Sequence, residues 1–168
     1  MTTQQLIIVT CLYWAELLVV IYFTRATARR ILGALAGGAA AGCFGLGAIA
    51  LGNASGLWQV PIATTTYFLA LFYLGLSVSV TPIYLVTWRV SRRFGWRGLA
   101  VCFGAMAIIG PPRDYLFAAV FPKWMVFAPG VAPILADAAT YVGIVAIGHA
   151  VMRLIAGRAR EDRLRSES

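Results

Sequence analysis

Three of the six acidic residues in this 168-residue chain, Glu16, Asp114 and Asp137, stand in or beside long apolar stretches. A charged side chain at the centre of a bilayer costs about 2.5–3.5 kcal/mol on insertion scales, so an intramembrane carboxyl marks a site unless packing explains it. Glu16 falls close to the middle of its apolar run and has no cation beside it in sequence. It must be protonated, paired with another helix or facing water, because a low-dielectric surrounding disfavours its charged form. That makes it a candidate proton- or ligand-binding carboxyl, or a hydrogen-bonded link between helices.

The second candidate is Gly110-Pro111-Pro112-Arg113-Asp114-Tyr115. Two prolines remove backbone donors and free upstream carbonyls, and a broken helix at membrane depth is tolerated only where protein or water satisfies those groups. This reading makes Arg113 and Asp114 partly buried partners in a polar site. The plainer reading ends the helix at Gly110 and lays Tyr115–Phe121 along the interface, with Asp114 as its cap. Asp137 follows Pro133 by one turn, where the helix dipole favours a carboxylate without any ligand. An Arg113–Asp137 pair would tie the proline break to the next helix, and Thr140 and Tyr141 share the helix face of Asp137. The candidate polar site is therefore Glu16, Arg113, Asp114, Asp137 and Tyr141.

No catalytic set is assembled. His149 is the sole histidine, and its position near Arg153 suits a packed residue. Cys11, Cys43 and Cys102 are scattered singly, so no zinc site of the usual ligand count is available. Buried cysteines act mostly as small hydrophobes. No phosphate loop, HExxH or GxSxG occurs. The expectation is no metal and no cofactor.

The elements that must position these residues follow from composition. The chain is 61% hydrophobic and only 12% charged, against about 25% charged in a soluble domain. A span needs roughly 20 apolar residues, so this length predicts an all-α polytopic bundle of about five spans. Their expected extents are 6–24, 31–51, 62–88, 98–110 and 133–155, within a single membrane domain over 1–155. A charged tail fills 156–168. Residues 98–110 amount to about 20 Å at the helical rise, short of the ~30 Å core. Span 4 is accordingly read as interrupted at Pro111-Pro112, with an interfacial or re-entrant continuation over 113–121. A cleaved leader is the rival reading of 6–24; the uncharged 1–5, Glu16 and the arginines that follow argue for a retained span.

Twelve of the 14 basic residues fall into three clusters: Arg25/Arg29/Arg30, Arg89/Arg92/Arg93/Arg97 and Arg153/Arg158/Arg160/Arg163/Arg165. With five spans all three lie on one side, which the positive-inside rule makes the cytoplasmic one. The expected topology is N-terminus out and C-terminus in, in the cell membrane. The net charge of +8 then reflects contact with anionic lipid headgroups on the cytoplasmic side, at about 1 kcal/mol per basic residue, and not nucleic acid. The arginines flank apolar spans and form no basic stripe on a soluble fold.

Span 2 is rich in small residues, with GxxxG spacing at Gly33/Gly37 and Gly38/Gly42, continued by Gly45. Small residues let helix backbones approach closely, inside the monomer or in a homo-oligomer or partner membrane protein. Three functional classes follow. The first is a protein that binds or moves a small molecule or lipid at an outward-facing intramembrane site. The second is a membrane-embedded enzyme acting on a lipid or isoprenoid by carboxyl acid/base chemistry, for which Glu16 is the best candidate. The third is a structural or accessory subunit associating through the glycine face.

Overall fold

The computed structural model describes residues 2–62 and 65–157; the arginines and carboxyls expected in the tail beyond 157 lie outside them. The chain is all-α but for a two-residue ribbon. The order is α1 (Thr3–Thr24), α2 (Ala28–Ser55), β1 (Trp58–Gln59), α3 (Thr66–Val120), β2 (Val126–Phe127) and α4 (Val131–Ala156). All four helices are long and apolar enough to cross a membrane.

Local signals set the boundaries. Helix α1 opens on a reciprocal capping box between Thr2 and Gln5. It closes at Arg25 in the left-handed region, φ 48°. At 55 residues, α3 would run about 80 Å if straight, more than twice the ~30 Å hydrocarbon core. It does not run straight. Gly95, at φ 64° and ψ −146°, is the one non-helical residue inside it and divides it into arms 66–94 and 96–120. A positive φ with this ψ is open essentially to glycine alone. Beyond the bend, Gly98 lies against Val90 and Phe94. Both ends of α3 return to the same place, because β1 precedes it, β2 follows it, and Trp58 pairs antiparallel with Phe127.

Two expectations are corrected. Residues 89–97 are not a loop, since helix persists to the bend at Gly95. Pro111 and Pro112 do not interrupt the second arm: helix runs on through Val120, so 113–120 continues the same helix. Proline's fixed φ is itself helical, and the residue before Pro111 is Gly110, which has no Cβ to meet the proline ring. The two missing donors leave Ala107 and Ile108 carbonyls without their usual partners, a loss that membrane helices absorb through neighbours and water.

Six of the seven glycines of α2 are buried within the chain, and Gly47 alone is exposed. Gly33 and Gly37 face α4 at Met152 and Gly148, while Gly38, Gly42 and Gly45 face the first arm of α3 at Thr81, Ser77 and Leu76. Tyr84 is fully buried, its ring lies where Gly148 lacks a Cβ, and its hydroxyl donates to the Ile144 carbonyl at 3.0 Å. Helix α2 is thus clamped between α3 and α4, and a second chain would have to use other faces. Helix α1 packs chiefly on α3 and leaves Leu12, Leu18, Tyr22 and Phe23 exposed.

The arginines of α2 and of the first α3 arm gather at one end of the bundle. Arg29 Nε donates to the Ile155 carbonyl at 2.9 Å and Arg89 to the Thr24 carbonyl at 3.2 Å. These bonds join the start of α2 to the end of α4, and the last turns of the first α3 arm to the end of α1. The β1–β2 ribbon closes the opposite end.

Candidate functional site

Beneath the ribbon lies a cavity of about 230 Å³ to which every helix contributes. Four of the five candidate residues, Arg113, Asp114, Asp137 and Tyr141, line it; Glu16 does not. Glu16 stands on the exposed side of α1, one turn past Tyr13, which does line the cavity. Hydrophobic periodicity gives no rotational phase for a helix apolar on all sides, so sequence could supply the depth of Glu16 but not its direction.

The second α3 arm supplies Arg113 and Asp114. Because the helix is unbroken, Asp114 sits one turn after Gly110, and the ring of Tyr141 from α4 rests against the bare Cα of Gly110. From there the Tyr141 hydroxyl donates to Asp114 Oδ1 at 2.9 Å. Arg113 Nε approaches the same oxygen at 3.6 Å, a loose ion pair whose guanidinium side is 59% exposed and whose carboxylate is 22% exposed. Asp114 is therefore not a helix cap.

Asp137 differs. Its helix begins at Val131 with no acidic residue in the first turn, so Asp137 lies past the reach of the helix dipole. It is 5% exposed, and its Oδ2 has no hydrogen-bond partner. The expected Arg113–Asp137 pair is absent; Arg113 attracts Asp137 through space while Asp114 repels it. A buried polar group left unpaired costs about 1–3 kcal/mol, more for a charge. Most buried polar atoms avoid that cost, so an unpaired carboxyl oxygen facing a cavity is a place for a donor. The neighbouring Thr140 hydroxyl is already committed to the Ala136 carbonyl at 2.9 Å.

Two further groups line the cavity that the sequence did not single out. Thr10 Oγ1 on α1 and Trp58 Nε1 in β1 are each in residues 5% exposed, and neither has a partner. Trp58 lies flat over Gly52 and meets Phe127 edge-on at 6.2 Å, while Phe127 stacks on Tyr115 at 4.1 Å. A tryptophan in a loop between spans reads as an ordinary interfacial anchor, and a threonine in a span as architecture, so nothing in the sequence marked either. The residues lining the cavity thus include a carboxyl (Asp137), an indole (Trp58), a hydroxyl (Thr10) and a guanidinium (Arg113). Its walls are apolar, from Leu6, Val9, Ile49, Phe72, Val80 and Ile144.

His149 lies elsewhere, 3% exposed, with Nδ1 at 3.1 Å from the Thr87 hydroxyl, as a packed residue would. Among the described residues no group of three His, Cys, Asp or Glu side chains is placed to hold a metal. Compared with protein-family models, with curated proteins and with solved structures, the chain matches none.

Proposed function

We propose that this protein is a five-span integral protein of the cell membrane that binds a small amphiphilic molecule in the cavity below the ribbon. An ammonium or other donor group of the ligand meets Asp137. The two arms of α3 count as separate spans, each exceeding the roughly 20 residues a crossing requires. The arginine end then faces the cytosol by the positive-inside rule, and the ribbon and cavity face outward. A tag at the C-terminus that reacts with an impermeant reagent outside intact cells would overturn this topology.

The observation that carries the binding proposal is the buried, unpartnered Oδ2 of Asp137 in an apolar-walled cavity. Ligand pockets combine apolar walls with a few convergent polar groups. A cavity of about 230 Å³ is below the ~300–1,000 Å³ usual for drug-sized ligands, which suits a small molecule or the head of a longer one. The test uses n-octylammonium, n-octanol and n-octanoate with protein in zwitterionic nanodiscs. Octylammonium should raise the unfolding temperature, octanoate should not, and Asp137→Asn should remove the rise. Equal stabilisation of both proteins, or by octanoate as much as octylammonium, would eliminate the proposal.

One observation also favours an acid/base enzyme: Asp114 and Asp137 share the cavity with a phenol and a guanidinium. In that reading the working carboxyls are these two, with Glu16 outside the site. Identical lipid profiles in parent and Asp137→Asn strains would count against it.

A further inference from the structure

A second hollow, of about 360 Å³, opens at the arginine end between α1, α2 and the first arm of α3. Arg30, Arg89, Arg92 and Arg93 line it, and Leu85 contributes an apolar wall. Among the described residues no carboxylate stands within ion-pair distance of Arg89, Arg92 or Arg93. Three guanidiniums gathered with no such carboxylate beside them repel one another, so the arrangement is stabilised by an anion. A second, independent feature points the same way. Trp88 also lines the hollow, is 2% exposed, and its Nε1–H has no acceptor. An indole donates and cannot accept, so whatever completes this site brings an acceptor oxygen.

Helix α2 adds a third contribution. Its N-cap, Thr27, makes no side-chain capping bond, and its first turn carries no acidic residue. Ala26 and Arg30, on either side of that N-terminus, both line the hollow. Free N–H groups and the positive end of the helix dipole favour a phosphate there. We infer that this hollow binds a phosphomonoester, held by the Arg89, Arg92 and Arg93 guanidiniums and by the Trp88 indole N–H. Arginine forks match phosphate oxygens two at a time. A monoester carries about −1.5 to −2 charge at neutral pH, so it answers this cationic excess better than a singly charged diester. The group comes either from a lipid such as phosphatidic acid or from a soluble phosphate, and the chemistry at the protein is the same.

The experiment reads the ¹⁵N–¹H indole resonance of Trp88, identified by its loss in Trp88→Phe, for the full chain in phosphatidylcholine nanodiscs. One arm adds phosphatidic acid to the bilayer; a second adds inorganic phosphate or glycerol 3-phosphate to the solution; a third substitutes phosphatidylserine at matched charge. A saturable Trp88 shift with a phosphomonoester supports the inference. A shift in the first arm alone identifies a lipid headgroup, and a shift in the second identifies a soluble phosphate. The double variant Arg92→Gln/Arg93→Gln should weaken apparent affinity at least tenfold. Its Trp58 resonance should be unmoved, which verifies the fold. Arg92→Lys/Arg93→Lys, retaining charge without the fork, should fall between. No Trp88 shift in either phosphate arm, an equal shift with phosphatidylserine, or full response in the glutamine variant would overturn it.

Discussion

At the ribbon end, two carboxyls, one guanidinium and two phenols share a cavity with a few hydroxyls, the Trp58 indole and otherwise apolar walls. At the arginine end, four guanidiniums share a hollow to which no carboxyl among the described residues contributes. The first is nearly balanced in charge and deficient in donors around Asp137. The second gathers the Arg89, Arg92 and Arg93 guanidiniums with no carboxylate among the described residues within ion-pair distance, and is deficient in acceptors around Trp88. The contrast lies in what each neighbourhood leaves unsatisfied: a carboxyl oxygen at one end, an indole N–H at the other. Burial separates them as well. Asp137 is enclosed by four helices, whereas Arg89 and Arg93 reach solvent, where salt screens them over about 8 Å at physiological ionic strength.

The largest expected effect breaks both ends together. Gly148→Leu forces a side chain into the space of the Tyr84 ring and beside Gly37. Overpacking of this kind costs about 3 kcal/mol, and both the octylammonium and the phosphate responses should vanish as the protein aggregates on extraction. A normal unfolding temperature in this variant would show that the α2–α4 approach does not support the two ends.

Asp137→Leu should separate the ends. Removing a buried unpaired oxygen should stabilise the unliganded protein by about 1–3 kcal/mol, raising its unfolding temperature by roughly 2–4 °C per kcal/mol at this size. The octylammonium response should disappear and the Trp88 response should stay. A lower unfolding temperature would mean that Asp137 is satisfied in the unliganded protein. Tyr141→Phe removes one half-buried hydrogen bond to Asp114 and should cost about 1 kcal/mol, read in the same unfolding assay, again leaving Trp88 unmoved. The smallest effect belongs to Thr140→Val. Its hydroxyl bonds its own helix, so stability should change by about 0.5 kcal/mol or less and octylammonium should still protect.

The segregation of these two ends was legible in the sequence because it rests on composition. Apolar runs of about span length and arginines placed between them give helices and a common end, and the structure has both. That Arg113 and Asp137 lie in one region was legible from helical rise; that Tyr141 would bond Asp114 there, in place of an Arg113–Asp137 pair, was not. Helix continuity was not. Rules for proline derive from helices in water, and they break the second α3 arm at Pro111 where Gly110 and the packed Tyr141 keep it whole. Rotational phase was hidden for the same reason the spans were visible: a helix apolar on every side carries no moment, so Glu16 and Thr10 on α1 could not be assigned to opposite surfaces. A ribbon of two residues per strand lies below any periodicity.

That ribbon couples the cavity beneath it to the order in which the chain is made. β1 leaves α2 early and must wait for β2, which emerges only after both arms of α3 have been synthesised and folded back at Gly95. Contacts between such distant segments form late because loop closure precedes their reward. The chamber is therefore completed late in synthesis: its roof waits for β2, and its last wall, the α4 face that carries Asp137 and Tyr141, follows later still.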